Sequence, residues 1–302
     1  MIADRRLGDR IGDIVIWTVL LAFAVMCLLP FATVIARSLS GYLAVTTNQV
    51  TIWPIGFNLD NYWYVTRDRW FLGAFAISLA RVLVSVPLTL LVIVMTAYPL
   101  SQDRLYMPGR TVFKVIMLIG MLFSGGLIAT YLAYKSLGLL NNFAVLVLPG
   151  ALNIFLAIII INFFRGLPQE LSESAMLDGA SHFDVLFRIF VPLSRPALAT
   201  VSLFTAVGHW NSWFDGIIYM SRSNMWPLQS YLFDLMQSRS LNRLVEVERT
   251  GAHVGGVLEH VELSPEALHA AMIVVATVPI VLVYPFLQRH FVTGLTLGAV
   301  KG

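Results

Sequence analysis

Two sets of residues in this 302-residue chain have types and spacing that could do chemistry. The first consists of polar groups set inside long apolar runs. Arg81 lies within a run at 74–99, with Ser78 and Ser85 on roughly the same helical face. A charge at that depth costs ~2.5 kcal/mol or more to insert into a membrane and normally faces a bundle interior or a wet cavity. Ser124 and Gly125, followed by Gly126, loosen a second run; Asn153 lies midway down a third. A fourth contains His209, Trp210, Asn211, Ser212 and Trp213 in succession. Hydrogen-bonding groups beside aromatic rings suit a sugar, which presents apolar faces and a rim of hydroxyls. Plainer readings exist for each. Arg81 can snorkel to an interface, the tryptophans can be belt residues, and the glycines can simply let helices pack closely.

The second set is a polar island at 173–192, ESAMLDGASHFDVLFRIFVP. Pro168 suits a first helical position, and Gly179 suits the left-handed residue that closes a helix. Ser181 with Asp184 three residues on caps a second helix, which must stop before Pro192. Val185, Leu186, Phe187 and Ile189 are too apolar for a loop in open water. With Arg165, Arg188 and Arg195 around it, the island looks built to dock on something.

Catalytic motifs are missing. There is no G-x-x-x-x-G-K-[ST] loop, and none of Lys114, Lys135 and Lys301 follows a glycine. No H-E-x-x-H, paired C-x-x-C or G-x-S-x-G occurs, and the six histidines are scattered. We therefore expect no catalytic residue, metal site or cofactor in this chain. An enzyme acting on lipid-linked sugar at the membrane would need acids or a nucleophile clustered at one interface, and no such cluster is evident. The runs also hold almost no acids, Asp215 near the end of the fifth being the exception. Carriers driven by protons or sodium usually need an intramembrane carboxylate or broken helices in repeated halves. A transporter with neither must borrow its energy, and the island is the candidate handle.

These residues need a membrane framework. The chain is 58% hydrophobic and 12% charged, against roughly 25% charged in soluble domains, and its mean hydropathy is +0.77. A net charge of +3 gives no case for nucleic acid. The single cysteine, Cys27, excludes an internal disulfide. Six runs, at 14–36, 74–99, 112–134, 142–164, 196–219 and 268–289, are long enough to cross a bilayer as a helix, which takes ~20 residues. The first is too long for a secretion signal and no A-x-A site follows it, so it reads as an anchor that stays. The third and fourth runs share one short connection, and Ser264-Pro265-Glu266 is a good start signal for the last helix. Pro30, Pro87 and Pro279 predict kinks. Arg5, Arg6, Arg10, Arg104, Arg110, the island arginines, Arg289 and Lys301 all fall on one side, which the positive-inside rule makes cytoplasmic. Both termini and the 165–195 loop are then cytoplasmic, and the longer 37–73 and 220–267 loops are external. The outer loops carry an ordered excursion and an amphipathic helix near 227–238, with Leu228, Tyr231, Leu232, Leu235 and Met236 on one side. The expected class is an all-α polytopic membrane protein of six helices, one permease domain over 1–302.

The island also resembles a known signature. Membrane subunits of bacterial ATP-binding-cassette (ABC) importers carry E-A-A, three residues, G, nine residues, I-x-L-P. Glu173, Ala175, Gly179, Ile189 and Pro192 fall in that register, with Ser174 and Val191 as departures. The likeness extends to 53–65, 123–142, 208–220, 226–232 and 277–302 of the carbohydrate-uptake permeases, and within them to the subgroup for complex or acidic oligosaccharides such as alginate-type uronate chains. Ala129 stands where that family has proline. The resemblance implies a type-I importer fold in the bacterial inner membrane, paired with a second homologous permease as a heterodimer. It further implies two cytoplasmic ATPase subunits that bind ATP and Mg, a periplasmic binding protein, and a carbohydrate substrate. Related permeases carry amino acids, polyamines or phosphate, so another solute class is the alternative. Glu173, Ser174, Ala175, Gly179, Phe183, Arg188, Ile189 and Pro192 would then form the coupling contact. Arg81, Ser124, Gly125, Asn153, His209, Trp210, Asn211 and Trp213 would line the substrate pathway. From its isolated charge, Arg81 is expected to favour an anionic sugar.

Overall fold

The computed structural model describes the backbone of residues 7–102, 107–237 and 264–299, and the side chains of 12–102, 107–237 and 264–282. Arg5, Arg6, Arg104, Lys301 and the charged stretch beyond residue 237 lie outside the described residues. Every regular element among those described is helical. Backbone contacts divide the chain into two compact units: Met1–Arg69 with Leu235–Val278, and Trp70–Asp234 with Pro279–Gly302.

The first unit opens with α1 (Leu7–Ser38), which runs through Pro30 without interruption. The most apolar eighteen residues of Gly12–Ser38 include none that this chain buries, although Ala36 and Ser38 at the far end are covered. A helix apolar on all sides and uncovered belongs in hydrocarbon or against another chain. The expected excursion follows, holding α2 (Tyr42–Thr46) and α3 (Asp60–Val65). Its chain is tied back by Gly41 N–H to the Ile55 carbonyl at 3.0 Å and Asn58 N–H to the Leu39 carbonyl at 3.0 Å. Ala36, Val45, Val50 and Ala267 form its small core.

The second unit is built on α4 (Arg69–Ser101), a single helix through Pro87 and Pro99. The next three expected spans are not continuous. The 112–134 run is split into α5 (Arg110–Leu122) and α6 (Gly126–Ser136), which meet at 118°. Gly126 sits at φ +75 there, a conformation that glycine takes at little cost, and Ala129 lies in the first turn of α6. The 142–164 run becomes α7 (Ala144–Val147), a tight turn Leu148–Gly150, and α8 (Ile154–Arg165), bent by 44°. The last of the three is α12 (Arg195–Asn211) followed by α13 (Phe214–Tyr219). In each case a Gly, Pro, Asn or Ser stands at the break. Such residues either lack a side chain to hold the helix or offer side-chain bonds to the freed backbone. Asn153, for example, accepts from Leu156 N–H at 3.1 Å. Irregular backbone at membrane depth is tolerated where it is buried in protein or lines a cavity.

Between α8 and α12 lies the island, as α9 (Glu170–Leu177), α10 (His182–Val185), a π-turn Leu186–Phe190 and α11 (Val191–Leu193). Two expectations shift. Pro168 precedes α9, whose first turn is instead anchored on the Gln169 carbonyl, accepting from Ser172 and Glu173 N–H at 3.0 and 3.1 Å. Helix also continues past Pro192, to Leu193. A proline lacks its N–H and its ring crowds the carbonyl four residues back, and the wider π-turn immediately before it makes room.

The chain closes with α14 (Leu228–Gln237) and α15 (Pro265–Ala299). Leu228, Leu232 and Leu235 of the amphipathic helix are buried as expected, whereas Met236 is exposed. Among the described residues three helices are long and apolar enough to cross a membrane alone, and the total reaches six if each of three bent pairs is one span, the third pair being His182–Leu193 with α12 at 82°.

Candidate functional site

All the groups around Arg81 belong to the second unit. The guanidinium is 3% exposed. Nε donates to His209 Nδ1 at 3.1 Å, so that nitrogen must be unprotonated and the ring hydrogen sits on Nε2. Nη2 is ion-paired with Asp215 Oδ2, which also accepts from Ser212 Oγ at 2.8 Å. Nη1 is buried without a hydrogen-bond partner. The cluster opens on a cavity of about 560 Å³ whose wall includes Tyr134, Asn153, Phe155, Thr205 and Tyr219.

The breaks place these groups. Extended backbone at Ser212 turns the chain so that α13 carries Asp215 back toward Arg81. Gly216 is required next to it: a Cβ there would lie 2.7 Å from Pro227 Cδ and 2.8 Å from Ser230 Cβ. Ser230 Oγ donates to the Trp213 carbonyl at 2.5 Å, and Ser78 Oγ accepts from Leu228 N–H at 2.8 Å. Together these bonds clamp α13 between α4 and the start of α14. On the opposite wall, a Cβ at Gly150 would sit 3.2 Å from the His209 ring, so the tight turn there sets the ring's position.

The island has two faces. Val185, Leu186 and Phe190 are buried in a core with Ile93, Leu100, Ile160 and Phe164 from α4 and α8. Phe190 meets Tyr98 and Phe164 edge-to-face, each at 5.3 Å, and Tyr98 Oη lies 3.2 Å from His182 Nδ1. Ser181 and Asp184 form a reciprocal cap. The bond from Ser181, chiefly, with Arg188 nearby, holds the Asp184 carboxyl below its usual pKa. Gly179 closes α9 at φ +85. Outward stand Leu177, 89% exposed, and Phe183, 63% exposed.

The expected pathway residues are distributed unevenly. Arg81, Asn153 and His209 line the cavity. Trp210 is buried edge-to-face against Phe75 at 5.5 Å. Trp213 is stacked on Phe233 at 4.1 Å, and Asn211 is exposed at the end of α12. Ser124 and Gly125 occupy the α5–α6 bend and are exposed. Of the expected coupling residues, Glu173, Ser174, Gly179, Phe183 and Arg188 are on the exposed face, Arg188 being paired with Asp184 at 3.3 Å. Ala175 and Ile189 pack against the core, and Pro192 is half-buried. Thr205, Tyr134, Tyr219 and Leu177 were not singled out from sequence, and Ser212 and Asp215 were noted there but not placed among the pathway residues. For Asp215 a signal existed: a lone acid near a lone intramembrane arginine, since buried charges come paired. Among the described residues, no group of three His, Cys, Asp or Glu is placed to hold a metal ion.

Bent and broken helices converging on a polar cavity fit a solute-transport subunit of the membrane; together with the Asp215 carboxylate paired to buried Arg81 they correct the expectation that this chain has neither broken helices nor an intramembrane acid. Its lineage follows from comparison. Residues 66–297 match the family described as binding-protein-dependent transport system inner membrane component, and the chain belongs to that family, the permease subunits of ABC importers. It is 38% identical over 297 residues to the polygalacturonan/rhamnogalacturonan transport system permease protein YtcP of Bacillus subtilis, covering 97% of this chain and 99% of that one. Protein LplC of the same organism is 40% identical over 275 residues, 91% of this chain and 90% of the relative. A solved bacterial ABC transporter involved in the import of the acidic polysaccharide alginate has a chain of TM-score 0.86 and 30% identity, covering 95% of this chain and 99% of that chain. The fold is the type-I importer permease fold, as the resemblance implied.

Proposed function

We propose that this subunit carries an oligo- or polysaccharide from a periplasmic binding protein across the inner membrane, by alternating access driven by partner ATPases. The observation that carries the reading is the cavity lined by Arg81, His209 and Asp215 together with Tyr134, Phe155 and Tyr219. Rings and hydrogen-bonding groups in one enclosure suit a glycosyl unit. Relatives named for polygalacturonan, rhamnogalacturonan and alginate support the substrate class. A solved structure of the alginate transporter with a pentasaccharide-bound periplasmic protein, related to this chain in fold at TM-score 0.52 and 15% identity, supports no more than the architecture.

Two cytoplasmic ATPase subunits, which bind ATP and Mg, would grip the exposed face of the island through Leu177, Gly179 and Phe183. A second homologous permease would complete the pathway and cover apolar surface such as that of α1. Both termini and the island lie on the cytoplasmic side in this reading. Nucleotide then biases a two-state equilibrium of the helices. The buried face of the island, locked to α4 by Phe190 and Tyr98, would pass its movement to the helix bearing Arg81. The test is co-purification of the tagged chain from its native membrane. Two ATPases, a second permease and uptake-linked hydrolysis stimulated by an oligogalacturonate are expected; a chain that purifies with no ATPase contradicts the proposal.

A further inference from the structure

The chemistry of the cavity decides which feature of a saccharide it can read. Among the described residues, Arg81 and Asp215 are the only Lys, Arg, Asp or Glu in its wall, and their charges cancel. His209 contributes no charge, because Nδ1 accepts from Arg81. A substrate carboxylate approaching Arg81 would compete with Asp215 and come close to it in a medium of low dielectric, where like charges repel strongly. A hydroxyl meets no such conflict, since it both donates and accepts. Two buried polar atoms in this wall lack a partner: Arg81 Nη1, and Oγ1 of Thr205, which is 7% exposed. Both bonds recorded at Asp215 fall on Oδ2, so Oδ1 remains for another donor.

Resting on the reading of this chain as a saccharide permease, we propose that the Arg81–Asp215 pair is a clamp for the hydroxyls of one glycosyl unit and does not select for acidic sugar. Arg81 Nη1 and Thr205 Oγ1, both covered in this conformation, are uncovered as the helices move; Nη1 then donates to one hydroxyl, Asp215 accepts from its neighbour, and Thr205 Oγ1 binds a third polar group on the ring. The apolar face of the ring lies on Tyr134 and Tyr219, whose own rings are held edge-to-face at 5.0 Å. This revises the expectation that the buried arginine favours an anion: that charge is already satisfied within the chain. Uronate and neutral rings carry the same neighbouring hydroxyls, so both engage the clamp alike, and preference for acid is set elsewhere in the complex.

The test uses the complete transporter in proteoliposomes, with trigalacturonate and its methyl ester as probes. The two differ in charge while sharing their ring hydroxyls, and the unchanged binding protein cancels when each variant is divided by wild type. Arg81→Lys keeps the charge and loses the forked Nη1 donor. Thr205→Val is nearly isosteric and breaks no ion pair, which keeps the test decisive if the lysine variant assembles poorly. Uptake should fall about tenfold for Arg81→Lys and about threefold for Thr205→Val, by the same factor for every probe that wild type transports. Full uptake in either assembled variant, or a loss confined to the charged probe, overturns the clamp while leaving the saccharide reading intact. If the wild-type complex moves neither probe nor any other saccharide, both fall together.

Discussion

Asp215→Asn should be more damaging than Arg81→Gln, although the two residues form one ion pair. The difference follows from their surroundings: Arg81 is 3% exposed and Asp215 is 32% exposed. Removing one partner of a buried pair costs roughly 3–5 kcal/mol, because an uncompensated charge is left behind. Asp215→Asn leaves the guanidinium stranded, so about 3 kcal/mol is expected, the low end because one partner reaches solvent. Arg81→Gln strands a carboxylate that is partly wet and still accepts from Ser212, so about 1–2 kcal/mol is expected. The double substitution strands nothing and should cost less than the sum by about 2 kcal/mol. Equilibrium unfolding of the purified subunit in mixed micelles, run as a double-mutant cycle, measures these values. Additive losses, or an arginine substitution worse than the aspartate one, would refute the assignment of the pair as a buried, mutually compensating unit.

Other substitutions probe the elements around it. Gly216→Ala puts a Cβ against Pro227 and Ser230, so α13 must shift; a loss of about 1–3 kcal/mol is expected, with transport falling further than stability because Asp215 moves too. A native-like thermal transition and normal uptake would count against that placement. At Gly179 a Cβ meets open space, but φ is +85, so Gly179→Ala should cost only about 1–2 kcal/mol of local strain. Gly179→Asp adds charge to the exposed face and should abolish transport-coupled ATPase activity while expression persists. Normal coupled hydrolysis in that variant argues against docking there. The lowered Asp184 carboxyl contributes stability above the ordinary carboxylate pKa, and that contribution disappears as pH falls through its lower, folded value. Amide exchange at 181–185, corrected for intrinsic pH dependence, should therefore show protection dropping at acid pH in wild type and not in Ser181→Ala.

The class of the molecule was legible because a bilayer allows few solutions. Long apolar runs must be helices, and the first, second and sixth runs lie within the helices α1, α4 and α15. The cap at Ser181, the glycine stop at Gly179 and the start at Pro265 were readable because each rests on local backbone chemistry. The breaks were not. A run such as 196–219 has the same hydropathy whether it is one helix or two, and its interruption depends on Ser230, Pro227 and Ser78 gripping α13 from distant parts of the sequence. That is why Asp215 read as an end-of-span acid when it is the counter-charge of Arg81. Trp210 shows the same limit in reverse: its type fits a sugar site, yet it packs on Phe75. In the island, composition raised the expectation of a docking element, but only packing separates the buried Phe190 from the outward Phe183.

The most direct measurement is saccharide accumulation in proteoliposomes holding either the isolated chain or its full complex, each with the binding protein and with ATP on the ATPase side. Uptake against a gradient is expected only for the full complex and only while nucleotide is hydrolysed. Accumulation by the isolated chain, or a full complex that hydrolyses ATP without moving any saccharide, would contradict a permease that borrows its energy through the island.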